Sequence, residues 1–119
     1  MHSDTLKATD DYSAARATHP RVSLADMEAK IVGEHYFRAN EALQALNAAP
    51  DNDFPYHHTL DNLTVCILVM QNGFAIIGKS APASPENFDA AKGKRFAYED
   101  AIKQLWPLEG YALREKLSD

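Results

Sequence analysis

The chain is poor in the features that would let it act as a secreted, membrane-bound or duplex-binding protein. Among its 119 residues there is one cysteine, Cys66, so no internal disulfide can form. That suits a reducing, cytosolic setting. No apolar run approaches the roughly 20 residues of a membrane-spanning helix. Residues 1–20 lack the apolar stretch of a secretory signal. Bases are scarce: 12 Lys and Arg stand against 17 Asp and Glu, a net charge of −5. Nucleic-acid duplexes demand a basic surface, so binding to them is not expected. Catalytic signatures are missing too. There is no G-x-G-x-x-G, P-loop, G-x-S-x-G or H-E-x-x-H. The five histidines (2, 19, 35, 57 and 58) follow no zinc-site spacing, and adjacent His57 and His58 would point to opposite faces of a strand. The expectation is a protein that is not an enzyme and uses no cofactor or metal.

What is present is ordinary globular composition, 45% apolar and 24% charged, in a length that fits one domain. Residues 1–20 show no helical or strand period and read as a flexible tail. The single domain then runs over 21–119. Residues 21–63 carry seven acids and three bases, whereas Lys92-Gly93-Lys94-Arg95 is the one dense basic cluster. That cluster is either a solvated helix face or a small anion site.

Ser23 can cap a helix in which Leu24, Met27, Ile31 and His35 form one apolar stripe. A second helical stretch covers 40–49 and stops before Pro50. Residues 49–62 form a loop rich in Pro, Asp and Asn, a few residues of which could pair as an edge strand. Residues 64–70 form a β-rich run, Asn72-Gly73 suits a type I′ turn, and residues 74–77 give a second strand ending near Ser80. The first strand is apolar on both faces: Val65, Ile67 and Val69 on one, Cys66, Leu68 and Met70 on the other. One face can take the chain's own helices. The other face, or the free edge, needs a partner, for which a second copy is the economical choice. Ser84-Pro85-Glu86-Asn87 reads as a helix start, with Pro at the first helical position. Pro107 is expected to break that helix, and a further helical pattern follows over 108–117. The fold class is α+β: an antiparallel hairpin or sheet core, an N-terminal helix and long C-terminal helices, assembled as a homo-oligomer.

The segment from Ser84 onward offers the best candidate chemistry. A helix N-terminus attracts anions. Asn87 and Asp89 suit ribose hydroxyls or a base edge, Lys92, Lys94 and Arg95 suit phosphates, and Phe74 and Phe88 could supply a stacking face. The plainer reading makes Ser84 and Asn87 caps, the two Phe core residues and the charges solvated. Trp106 and Tyr111 are either a packed corner or a pocket wall. Cys66 reads as a small buried strand residue rather than a nucleophile.

The ordered string Gln71-Asn72-Gly73-Phe74, Ser80, Ser84-Pro85-Glu86-Asn87-Phe88-Asp89, Gly93 and Trp106-Pro107-Leu108-Glu109-Gly110-Tyr111 resembles the phage gene-forty-nine/gene-sixty-six family of small phage and prophage proteins. The layout is also similar to the Thoeris anti-defence one family. That resemblance implies a sponge that sequesters a cyclic nucleotide immune signal, a cyclic ADP-ribose isomer or a cyclic oligonucleotide, in the host cytoplasm without cleaving it. It implies a dimer or an assembly of dimers such as a hexamer, with ligand contacts at Asn87 and Asp89. Phe74, Ser84, Arg95, Lys94, Lys79, Arg38 and Gln104 are further ligand candidates by their chemistry. The alternative is a phage protein–protein interaction module with no small ligand.

Overall fold

A computed structural model of the chain describes residues 1–118. Its centre is a three-stranded antiparallel sheet: β1 (Ile31–Arg38), β2 (Thr64–Met70) and β3 (Ala75–Ser80), with β2 in the middle. Four α-helices surround it: α1 (Asp4–Arg16), α2 (Leu24–Ala29), α3 (Ala39–Asn47) and α4 (Ala90–Leu117). Two short 3₁₀ turns, His58–Asn62 and Pro85–Asn87, complete the order. The class is α+β, as the sequence implies.

Alternation along β2 settles where the core lies. Thr64, Cys66, Leu68 and Met70 are buried, while Val65, Ile67 and Val69 between them are half-buried. The buried set meets Ala97, Tyr98, Ala101, Ile102 and Leu105 of α4, with Leu6, Leu24, Met27 and Ile76 closing the rim. Gly78 sets the distance between helix and sheet. A Cβ there would stand 2.0 Å from the Ala97 carbonyl oxygen and 2.7 Å from the Ala101 nitrogen. Glycine is therefore required by close approach. α4 is about 42 Å long, whereas seven-residue β2 spans about 23 Å. The overhang makes the molecule long, 57 × 31 × 18 Å, with a radius of gyration of 17.4 Å against about 13.5 Å for a compact chain of this length.

Six local expectations are corrected. Residues 4–16 form a helix, not an irregular tail. Ser3 Oγ accepts the Leu6 amide at 3.2 Å and Leu6 reaches the core, so one cap and one anchor do the work of a stripe. The helix from Ser23 ends at Ala29, because Ile31–Arg38 pairs along β2. Its β-branched and aromatic residues favour that choice, and tertiary pairing overrides the 3–4 spacing. The hairpin turn is not type I′, since Gly73 alone has positive φ (88°). The Gly73 amide donates to the Met70 carbonyl and the Met70 amide to the Phe74 carbonyl, each at 2.8 Å, giving a three-residue connection with Gly73 in the left-handed position. The long helix begins after Asp89, five residues beyond Ser84, since Pro85–Asn87 closes only a 3₁₀ turn. Finally, α4 runs unbroken through Pro107. The lost amide leaves the Lys103 carbonyl unbonded within the helix, on an exposed residue where water can replace it. Residues 49–62 hold a 3₁₀ turn and no strand. No helix among the described residues is long and apolar enough to cross a membrane.

Candidate functional site

Three elements meet at one end of the sheet. β1 ends at Arg38, β2 starts beside it at Thr64, and α4 starts at Ala90. Between them lies a cavity of about 340 Å³ lined by Tyr36, Phe37, Arg38, Glu41, Thr64, Phe88, Ala90 and Lys94. The Arg38 guanidinium carbon stands 5.8 Å from the centre of the Phe88 ring, within cation–π range. Its Nε lies 3.4 Å from Glu41 Oε1 on the exposed side. Arg38 and Lys94 against Glu41 leave the cavity with one net positive charge.

The floor of the cavity is unusual. Thr64 is 3% exposed, and its Oγ1 is buried with no hydrogen-bond partner among the described residues. A buried hydroxyl left unpaired costs about 1–3 kcal/mol. Gly93 brings this about: a Cβ there would stand 2.6 Å from Thr64 Oγ1, so glycine lets the first turn of α4 close down on the strand.

Phe88 separates this cavity from a smaller recess of about 150 Å³, lined by Ser80, Pro82, Asn87, Asp89, Gly93 and Phe96 among others. Asn87 and Asp89, expected together, are together there. Asp89 has a structural duty as well, for its Oδ1 accepts the Lys92 amide at 3.0 Å and caps α4. The helix N-terminus thus already holds a carboxylate of its own. Ser84 donates to Glu86 at 2.5 Å and lowers that carboxyl's pKa.

The remaining candidates are dispersed. Phe74 is 54% exposed at the hairpin tip, a strand length away. It borders a different cavity, of about 330 Å³, with Met70, Leu105 and Leu108. The Arg95 guanidinium lies over Phe96, 5.0 Å from its centre. Gln104 donates to the Ile77 carbonyl at 2.8 Å, and the Lys79 amide donates to Asp100 at 3.0 Å. Cys66 is buried and unpaired with another cysteine, and burial pushes its thiol up to about 11, which leaves it a poor nucleophile. Among the described residues no group of three or more His, Cys, Asp or Glu is placed to hold a metal. Tyr36, Phe37, Glu41 and Thr64 escape the sequence reading. Their place depends on β1 pairing with β2, and only the β-branched and aromatic character of 31–37 hints at that.

A thin three-stranded sheet backed by one long helix, with a small cationic cleft at the strand ends, defines the protein as α+β. The chain belongs to the phage protein (N4 Gp49/phage Sf6 gene 66) family, whose model matches residues 22–117. No curated protein and no solved structure matches it.

Proposed function

We propose that this phage-family protein binds a cyclic nucleotide immune signal in the host cytoplasm and holds it without cleavage, so that a host defence effector is deprived of it. The observation that supports this reading most is the cleft itself: Arg38, which lies over the Phe88 ring, and Lys94 line it together with Thr64, whose hydroxyl is unpartnered. Phosphates suit the two cations, a flat base suits the ring, and a ribose or base edge suits Thr64 or the Asn87–Asp89 recess. The cleft brings no activated nucleophile or paired base with it, so retention is its natural chemistry. The ligand-holding form is a homo-oligomer, in keeping with the apolar residues that the sheet leaves uncovered.

The test incubates the purified protein with a panel of cyclic ADP-ribose isomers and cyclic di- and trinucleotides, removes free ligand, and heat-denatures the protein. Release of intact ligand is expected. Arg38→Ala and Lys94→Ala should each weaken uptake roughly tenfold or more. Hydrolysed product would show an enzyme instead, and no uptake of any probe would sink the proposal. The second reading is a protein–protein interaction module. It is favoured by Phe74, Leu108 and Tyr111, which are 54%, 48% and 70% exposed near the hairpin tip and the α4 overhang. Ligand uptake lost in Arg38→Ala separates the two readings.

A further inference from the structure

The two edges of the sheet are finished differently. On β3 two of the outward groups are met by α4: Gln104 Nε2 donates to the Ile77 carbonyl, and Asp100 Oδ2 accepts the Lys79 amide. That edge is partly covered by the helix. On β1 the Ala39 amide donates to the Leu63 carbonyl. Phe37 and His35, alternate residues in the same register, therefore face β2, and Glu34 and Tyr36 turn their amides and carbonyls outward. Among the described residues these outward groups have no backbone or side-chain partner. The two ends of the edge are blunted, and at its middle the Glu34 carboxylate accepts from the Met1 amine at 3.2 Å while the Tyr36 hydroxyl donates to Met1 Sδ at 3.8 Å, contacts that leave the main-chain groups of Glu34 and Tyr36 free. The Arg38 amide donates to Glu41 at 3.2 Å, and Val32, at the irregular step between Ile31 and Gly33, is 68% exposed. An open edge of this kind is a template for another strand.

We propose that the open β1 edge pairs with β1 of a second copy, antiparallel about a two-fold axis at Tyr36, giving one continuous six-stranded sheet. The choice of a second copy rests on charge. With the axis at Tyr36, Glu34 faces the partner's Arg38 and the reverse, so two opposite-charge pairs form by symmetry. His35 then faces the partner's Phe37 on the other side of the sheet. With the axis at Glu34, like charges stand face to face. With the axis at His35, neither charge meets its opposite. Directly opposed pairs of unlike charge stabilise a sheet and like pairs destabilise it. Main-chain hydrogen bonds supply the affinity, and these pairs set the register. Tyr36 and Arg38 also line the cationic cleft, so the partner strand would run along its outer wall. This inference rests on the reading that copies associate and adds where they do so.

Sedimentation of the full chain over a range of concentrations tests it. The unmodified chain should be a dimer or a multiple of one. Glu34→Arg or Arg38→Glu alone places like charges opposite each other twice, and should raise the dimer dissociation constant roughly tenfold or more. The double variant carrying both changes should recover the original association. Glu34→Pro removes an outward amide and the Glu34 carboxylate together but no main-chain bond to β2, so circular dichroism should stay native while the dimer dissociates. A dimer indifferent to all of these changes overturns the edge pairing while leaving association standing. A monomer at every concentration overturns both.

Discussion

β2 carries two apolar faces of similar composition, and only one of them is sealed. Cys66 and Leu68 are 0% exposed beneath α4, whereas on the opposite side Ile77, the β3 residue paired with Ile67, is 60% exposed. Hydrophobicity does not decide this difference. Size does. On the covered side Gly78 is flanked by Ala97 and Ala101, both 0% exposed, and the helix backbone can come down onto the strand. On the open side Val65, Ile67, Val69 and Ile77 are all β-branched, and the one glycine there, Gly33, is hemmed in by Val69 and His35, each 3.2 Å from where its Cβ would stand, so no helix backbone can seat on it. The sharpest way to break the contrast is Gly78→Ala. The new methyl would meet backbone atoms, which cannot move aside as a flexible side chain could. A loss of about 3 kcal/mol is expected, at the upper end of overpacking effects, read by urea denaturation. A loss below about 1 kcal/mol would mean that α4 is not seated on Gly78.

The same comparison explains what could be read from the sequence. The β-rich run Thr64–Met70 and the Asn72-Gly73 signal locate the hairpin, because strand propensity and turn chemistry are local. β1 was not legible, since Ile31 and His35 also satisfy helical spacing and the deciding partner, β2, lies about thirty residues away. α1 was not legible because a Ser3 cap and the single anchor Leu6 leave no period at all. The cleft suffered from both problems. Lys94 and Arg38 stood out as cations, and Asn87 and Asp89 as neighbours, but nothing local joins Arg38 to Phe88 or leaves Thr64 without a partner. Phe74 and Gln104 were grouped with them by chemistry, while Phe74 stands at the hairpin tip and Gln104, well along α4, is spent on the Ile77 carbonyl.

A second way to sharpen the contrast uses alkali. The covered face holds a titrating group, Cys66, and the open face of β2 holds none. Burial raises the Cys66 pKa from an ordinary 9.0 to about 11. Burial also raises Tyr36, beside Cys66, and Tyr98, helped by its hydrogen bond to Glu28, above the usual tyrosine range. The folded state therefore binds more protons than the unfolded state above pH 9. Stability should be fully present below pH 9 and fall as pH rises through about 11, with a slope near 1.4 kcal/mol per pH unit for each proton held. For Cys66 alone the loss is on the order of 2 kcal/mol. Cys66→Ala should remove that part of the alkaline slope while the two tyrosines, Tyr36 and Tyr98, keep the part that burial gives them. An unchanged slope in the variant would place the thiol in water rather than under α4.

The smallest effect belongs to the open face, and its smallness is the point. Ile77→Thr keeps the β-branched shape, so strand propensity hardly changes. It exchanges an ethyl group for a hydroxyl at a position already 60% exposed, where water can satisfy the hydroxyl at little cost to packing. Its outward carbonyl bond to Gln104 is a main-chain contact and survives the change. Surface substitutions of this kind stay within about 0.5 kcal/mol, and urea denaturation at low protein concentration should show no more. The same exchange on the covered face would strand a hydroxyl beneath α4. A loss above about 2 kcal/mol for Ile77→Thr would therefore say that the open face is covered in solution. Repeating the measurement at higher protein concentration would then show whether the cover is a second copy, because the loss would grow with association.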